Sequence, residues 1–102
     1  MGHYSAVPVY ISLMKWTSSG LGGLPAWRDR LEDGEREIQR RGGRLLDVFV
    51  TLGRYDVVEI FEAPDDAAAA QILVGLTSDG NVTTETLRGF TREEAEAIIR
   101  DL

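Results

Sequence analysis

The stretch from Val48 to Glu62 constrains this chain more than any other. Val48-Phe49-Val50-Thr51-Leu52 and Val57-Val58-Glu59-Ile60-Phe61-Glu62 are two runs of strand-forming residues, and only Gly53-Arg54-Tyr55-Asp56 lies between them. Gly53 supplies the tolerance for positive φ that a hairpin turn needs. Turn length decides everything else, because strand side chains alternate faces and a slip of one residue exchanges them. A two-residue turn, Gly53-Arg54, puts Glu59 on one face with Leu46, Val48, Val50 and Leu52, where an unpaired carboxylate is costly to bury. A three-residue turn, Gly53-Arg54-Tyr55, groups Val48, Val50, Val58 and Ile60 on one face. Asp47, Phe49, Thr51, Val57, Glu59 and Phe61 then share the other. The cost of burying Glu59 favours the three-residue turn, with one dry face and one mixed face fit for a partner sheet or a ligand.

A chain of 102 residues is enough for one domain with one core, expected over residues 8–102 after a loose start at 1–7. Eleven basic residues against 17 acidic ones leave a net charge of −6, which argues against nucleic acid and an anionic membrane surface as partners. The absence of cysteine removes disulfides, thiolate metal sites and a cysteine nucleophile, and is compatible with a cytoplasmic location. The first ten residues lack the basic start and apolar run of a secretion signal, and no apolar run approaches the roughly 20 residues of a membrane helix.

In chain order, Pro8 opens a strand at Val9–Trp16, with Val9, Ile11 and Leu13 on one face and Tyr10, Ser12, Met14 and Trp16 on the other. Thr17–Gly23 reads as a flexible loop. A helix begins near Leu24-Pro25, carries Leu24, Trp27, Leu31 and Ile38 as an apolar stripe, and ends at Gly42-Gly43. Gly34 falls on that stripe, so either a neighbour packs very close or the helix is locally weak. Arg28, Arg30, Glu32 and Glu35–Glu37 form its solvated side. After the hairpin, Asp65 caps a second helix through the alanines to Leu76. Val82–Phe90 is a β-branched strand, and Thr91 with Glu94 forms a capping-box pattern for a last short helix.

The order βαββαβ with right-handed crossovers gives an α+β, ferredoxin-like fold: a four-stranded antiparallel sheet in spatial order 4-1-3-2, helices on one face, and a C-terminal helix. The second sheet face is then bare in a single copy. Tyr10, Met14, Trp16, Phe49, Val57 and Phe61 are expected on it, and burying them is a strong drive to form a dimer or higher homo-oligomer.

Several blocks carry a family likeness: Tyr10-Ile11-Ser12-Leu13-Met14-Lys15-Trp16-Thr17, Gly43 with Leu45, Thr51-Leu52-Gly53-Arg54-Tyr55-Asp56, Glu62-Ala63-Pro64-Asp65-Asp66 with its alanines, and Asn81-Val82 through Arg88. On these the chain resembles the GYD domain family, grouped with the dimeric α/β-barrel, ferredoxin-like proteins. The name-giving motif appears as Gly53-Arg54-Tyr55-Asp56, and Glu59 departs from the apolar residue expected in mid-strand. A similar hairpin occurs in effector-sensing domains of the leucine-responsive regulator type, which bind amino acids between subunits. The resemblance implies fold and assembly and leaves activity open.

Tyr55 and Asp56 can position or protonate a ligand; the plainer account is that Asp56 caps the hairpin and Tyr55 packs. Glu59, Asp47, Thr51, Thr84, Thr86 and Arg88 can line a polar pocket on the open sheet face, or form a polar subunit interface with Arg88 pairing a carboxylate. Trp16 and Trp27 can stack a ligand or simply pack. Lys15 reads as a solvated strand end, Asp65 and Asp66 as helix-capping residues, and the glycines of 20–23 as a loop without the Lys of a phosphate-binding motif. One histidine, His3, and no cysteine supply no transition-metal set and no Ser-His-Asp arrangement, so neither metal nor cofactor is expected. Two functional classes stand: an oligomeric small-molecule-binding or assembly module, and a small cofactor-free oxygenase- or isomerase-like enzyme on a hydrophobic metabolite. A third possibility is regulation by an effector bound between subunits.

Overall fold

The computed structural model describes residues 7–102. The loose start lies outside these residues except for exposed Val7, as does His3. The elements are β1 (Val9–Trp16), α1 (Ser18–Gly22), a 3₁₀ turn at Leu24–Ala26, α2 (Trp27–Arg40), β2 (Arg44–Val50), β3 (Val57–Glu62), α3 (Asp66–Thr77), β4 (Val82–Gly89) and α4 (Arg92–Arg100). The strands form one antiparallel sheet in the order β2-β3-β1-β4, the expected ferredoxin-like arrangement. Asp65 caps α3 through the Ala68 N–H at 2.8 Å. At α4 both bonds of the Thr91–Glu94 capping box are made.

The segment expected as a flexible loop holds the short helix α1. Its glycine content disfavours a helix, but tertiary bonds impose one. Thr17 caps it at the Gly20 N–H, donates its hydroxyl to the Gly80 carbonyl at 2.5 Å, and bonds the Asn81 carbonyl through its own backbone N–H. Gly20 is buried directly against the Asn81 carbonyl, where no side chain fits.

The hairpin register differs from the expected one. Val50 faces Val57, Val48 faces Glu59 and Asp47 faces Ile60. The closing pair is Thr51 with Asp56, joined by a 2.9 Å backbone bond, so the loop is the four residues Leu52–Tyr55 with Gly53 at φ +106°. Four and two loop residues share parity, and three does not. Glu59 therefore joins Val57 and Phe61 on the covered face. A bulge at Leu46 brings Leu45 opposite Phe61 on that same face.

The expected face assignment of β1 is reversed as well. Tyr10, Met14, Val57 and Phe61 are buried beneath the helices, and half-buried Trp16 is on their side of the sheet. Of the six residues expected on the bare face, only Phe49 is there. The core is built from Tyr10, Ile38, Phe61, Ala63, Ala69 and Ile72. Tyr10 stacks on Phe61 with ring centroids 5.5 Å apart and donates its hydroxyl to Asp66 at 2.5 Å. Burial, reinforced by Asp66, pushes the phenol up to about 12.

The opposite face keeps the expected apolar character through other residues. One cross-strand row runs Phe49, Val58, Leu13, Glu85, and the next Asp47, Ile60, Ile11, Leu87. Among the described residues no helix lies over them, and Phe49 and Leu87 are about half exposed, at 50% and 45%.

Candidate functional site

Helix α2 does not close down on the sheet along its whole length. Ile38, near its C-terminal end, is fully buried in the core, while Trp27 and Leu31 are only half buried. Between them and the sheet lies a cavity of about 380 Å³. The sheet contributes Met14, Trp16, Val57, Glu59 and Val82 to its wall. Trp27, Arg30, Leu31, Gly34 and Glu37 come from α2, and Gly75 and Leu76 from α3. At Gly34 an added Cβ would stand 2.9 Å from Leu76 Cδ2, so the glycine is there because α3 approaches closely.

The polar groups of this cavity are poorly paired. Glu59 is 9% exposed and its carboxyl has no hydrogen-bond partner among the described residues. Burial pushes it up to about 7, with no offsetting charge among the described residues. The indole N–H of Trp16 and the Nε and Nη1 of Arg30 are buried without partners among the described residues. Arg30 has one bond, from Nη2 to the Gly20 carbonyl at 3.3 Å. The other cation on the wall, Arg40, is paired with Glu37. Arg30 was placed on the solvated side by charge pattern. Its spacing from Trp27, Leu31 and Gly34 puts it on their face of the helix, and that was the signal available.

The other residues singled out in the sequence do not gather here. Asp56 pins the hairpin: its carboxylate accepts the Trp16 backbone N–H at 3.0 Å, and its own N–H donates to the Met14 carbonyl at 2.8 Å. Thr51 donates its hydroxyl to the Tyr55 carbonyl at 2.8 Å. Tyr55 lies toward the open face, its hydroxyl donating to Glu85 and its ring 5.8 Å from the Lys15 ammonium. Its phenol is raised, first by that bond. Thr86 belongs to a closed hydroxyl trio with buried Ser12 and Thr84, at 2.5 to 3.3 Å. Arg88 lies over the Phe90 ring at 4.5 Å and faces Glu94 at 3.8 Å, tying the start of α4 to the sheet. Of the residues singled out as ligand candidates, Trp16, Trp27 and Glu59 share the cavity. Among the described residues no cluster of His, Asp and Glu could hold a metal ion, and no helix is long and apolar enough to cross a membrane.

Residues 10–99 match the GYD domain family. The chain is a GYD-domain protein. It is similar to the glutamine synthetase and cystathionine beta-lyase binding protein of Thermus thermophilus, 34% identical over 85 residues that cover 82% of this chain and 90% of the relative. Among solved structures it is similar to MtbAldR, with a TM-score of 0.64 at 19% identity over 89% of this chain. It spans 60% of that protein, and the likeness concerns the fold. A nipsnap family protein of unknown function from Agrobacterium tumefaciens aligns with a TM-score of 0.48 at 16% identity, covering 87% of this chain and 94% of its own. In this GYD domain the eponymous hairpin, Gly53-Arg54-Tyr55-Asp56, fixes register, and the unpaired polar groups lie under the helices instead.

Proposed function

We propose that this GYD-domain protein is an oligomeric assembly module whose uncovered sheet face meets a second copy of the chain. The observation that carries the reading is the layout of that face. Ile11, Leu13, Val58, Ile60 and Leu87 make a continuous apolar centre across β3, β1 and β4, extended by Phe49 on β2. Polar groups rim it: the Arg44–Glu62 pair at one end, and Lys15, Tyr55 and Glu85 at the other. An apolar core inside a polar rim is how specific protein interfaces are built. The relative from Thermus thermophilus is named for binding two enzymes, which supports a module that works by docking. Sedimentation velocity at micromolar concentration tests the reading. The wild type is expected to sediment as a dimer or larger, and Ile60→Lys as a folded monomer. A wild-type monomer would overturn it.

A second reading is proton-transfer catalysis in the cavity, favoured by Glu59, a buried carboxyl whose pKa lies near neutrality. Its test is deuterium incorporation at carbon of an added small ketone in heavy water, expected for the wild type and lost in Glu59→Gln.

A further inference from the structure

We propose that the cleft between the sheet and helices α2 and α3 binds a small organic acid with an apolar middle, its carboxylate held by Arg30 and Trp16 and a hydrogen-bond donor at its far end held by Glu59. The cleft is on the covered side of the sheet, so the proposal does not rest on the open face or on a second copy.

Three observations specify the ligand. Trp16 and Arg30 both line the cleft, and three of their N–H groups, two on the guanidinium, are buried with no acceptor among the described residues. Arg30 has no carboxylate partner among the described residues, whereas Arg40, the other guanidinium lining the cleft, is paired. A guanidinium fork and an indole N–H together suit an anionic, planar acceptor, and a carboxylate is the simplest one.

The other end is Glu59. It sits directly across from Ser12 in the sheet, but Ser12 is committed to Thr84 and Thr86, and the carboxyl is left with no partner among the described residues. A carboxyl so placed takes a hydrogen-bond donor from a ligand. Trp16 is four residues along β1 from Ser12, so the two ends are roughly 13 Å apart at the backbone. Allowing a hydrogen bond of about 3 Å at each end, a ligand that bridges this span is roughly 7 Å long, the length of a small molecule.

The wall also carries Met14 and Val57 from the sheet, Leu31 from α2 and Leu76 from α3, an apolar lining beside the Glu37 carboxylate that Arg40 pairs. A volume of about 380 Å³ is at the small end of ligand cavities and suits an aryl or short alkyl chain.

The chain supplies its own reporter, because both of its tryptophans, Trp16 and Trp27, line the cleft. The full chain is titrated with 3-(4-hydroxyphenyl)propionate, which carries both polar ends, and with 3-phenylpropionate, which lacks the donor. Saturable tryptophan quenching is expected, with the hydroxylated acid bound about tenfold more tightly, the worth of one well-made buried hydrogen bond. Glu59→Leu is expected to erase that preference while leaving 3-phenylpropionate unaffected. Arg30→Met should weaken both acids alike. The proposal is overturned if neither acid saturates by about 10 mM, if the wild type binds the two equally, or if Glu59→Leu weakens both to the same extent. The wild-type comparison of the two acids stands even where a variant fails to fold.

Discussion

The backbone N–H of Trp16 donates to the carboxylate of Asp56 at 3.0 Å, joining the end of β1 to the loop between β2 and β3. Asp56 returns a backbone bond to Met14 and closes the hairpin opposite Thr51. One residue thus sets the parity of two strand pairings, and that parity decides which side chains enter the cleft. Asp56→Ala should leave the Trp16 N–H unpaired in a part-buried place and cost about 1–3 kcal/mol. Asp56→Asn keeps an acceptor and should recover most of the loss. Tyr55→Phe removes a single exposed bond to Glu85 and should cost under about 1 kcal/mol. Urea denaturation of the three variants checks this ranking, and equal losses at Asp56 and Tyr55 would refute it.

Glu59 makes stability depend on pH in a predictable direction. Its carboxyl rises from 4.5 in the unfolded chain to about 7 in the folded one through burial. Arg30, Glu37 and Asp79 line the same cavity, and none of them contributes to the shift. The folded state keeps a proton that the unfolded chain has already released. The benefit is complete below pH 4.5, is lost as pH rises toward about 7, and stays lost above that. A shift of this size corresponds to about 3 kcal/mol. Glu59→Gln carries no titrating group there. The stability of the wild type relative to Glu59→Gln should therefore fall by about that amount between pH 4.5 and 8 in paired urea melts.

The same residue shows where a sequence stops being legible. Element positions follow local rules: Pro8 before β1, Asp65 and Thr91 as caps, Gly42 (φ +85°) after α2. These signals need only a few neighbouring residues, and each is where it was expected. Hairpin parity is different. It was inferred from the cost of burying Glu59, and that cost is reduced because the group keeps its proton and borders a cavity instead of packed hydrocarbon. The bond that fixes parity spans 40 residues of sequence, from Trp16 to Asp56. With β2 keeping its expected faces, reversing the parity turned over β3 and the β1 paired to it, so Tyr10 and Phe61 went to the core and Ile11 and Ile60 to the open side. That both faces carry apolar residues survived the change, because β1 and β3 have apolar residues at alternate positions on either side.

Gly34 faces Leu76 across the helix pair, and its substitutions separate helix propensity from space. Gly34→Ala gains about 1 kcal/mol of intrinsic helix preference. It also brings a methyl to 2.9 Å from Leu76 Cδ2, the movable end of a side chain. The two effects oppose each other, and the variant should stay within about 1 kcal/mol of wild type. Gly34→Val adds branches that one shifted methyl cannot accommodate and should lose about 1–3 kcal/mol. Thermal melts decide the matter, a 1 kcal/mol change in a domain this size moving Tm by roughly 4–8 °C.

The capping box of α4 stabilises a helix that has little else to hold it. Thr91 accepts from the Glu94 N–H at 3.1 Å, and Glu94 accepts from the Thr91 N–H at 2.8 Å. Beyond its first turn α4 packs only weakly on the rest of the chain, and Ile98 and Ile99 remain exposed. An isolated helix of nine residues is marginal in water, so its caps supply a large share of its stability. Thr91→Ala should cost about 1 kcal/mol locally. Because α4 opens independently of the core, the loss should appear as faster amide exchange across 92–100, with the protection of β1 and β3 unchanged. If exchange in β1 and β3 rises in step, α4 is part of the cooperative core instead. Repeating the exchange at low and high protein concentration extends the test. A second copy covering Ile98 and Ile99 would slow α4 exchange as concentration rises, in both wild type and Thr91→Ala.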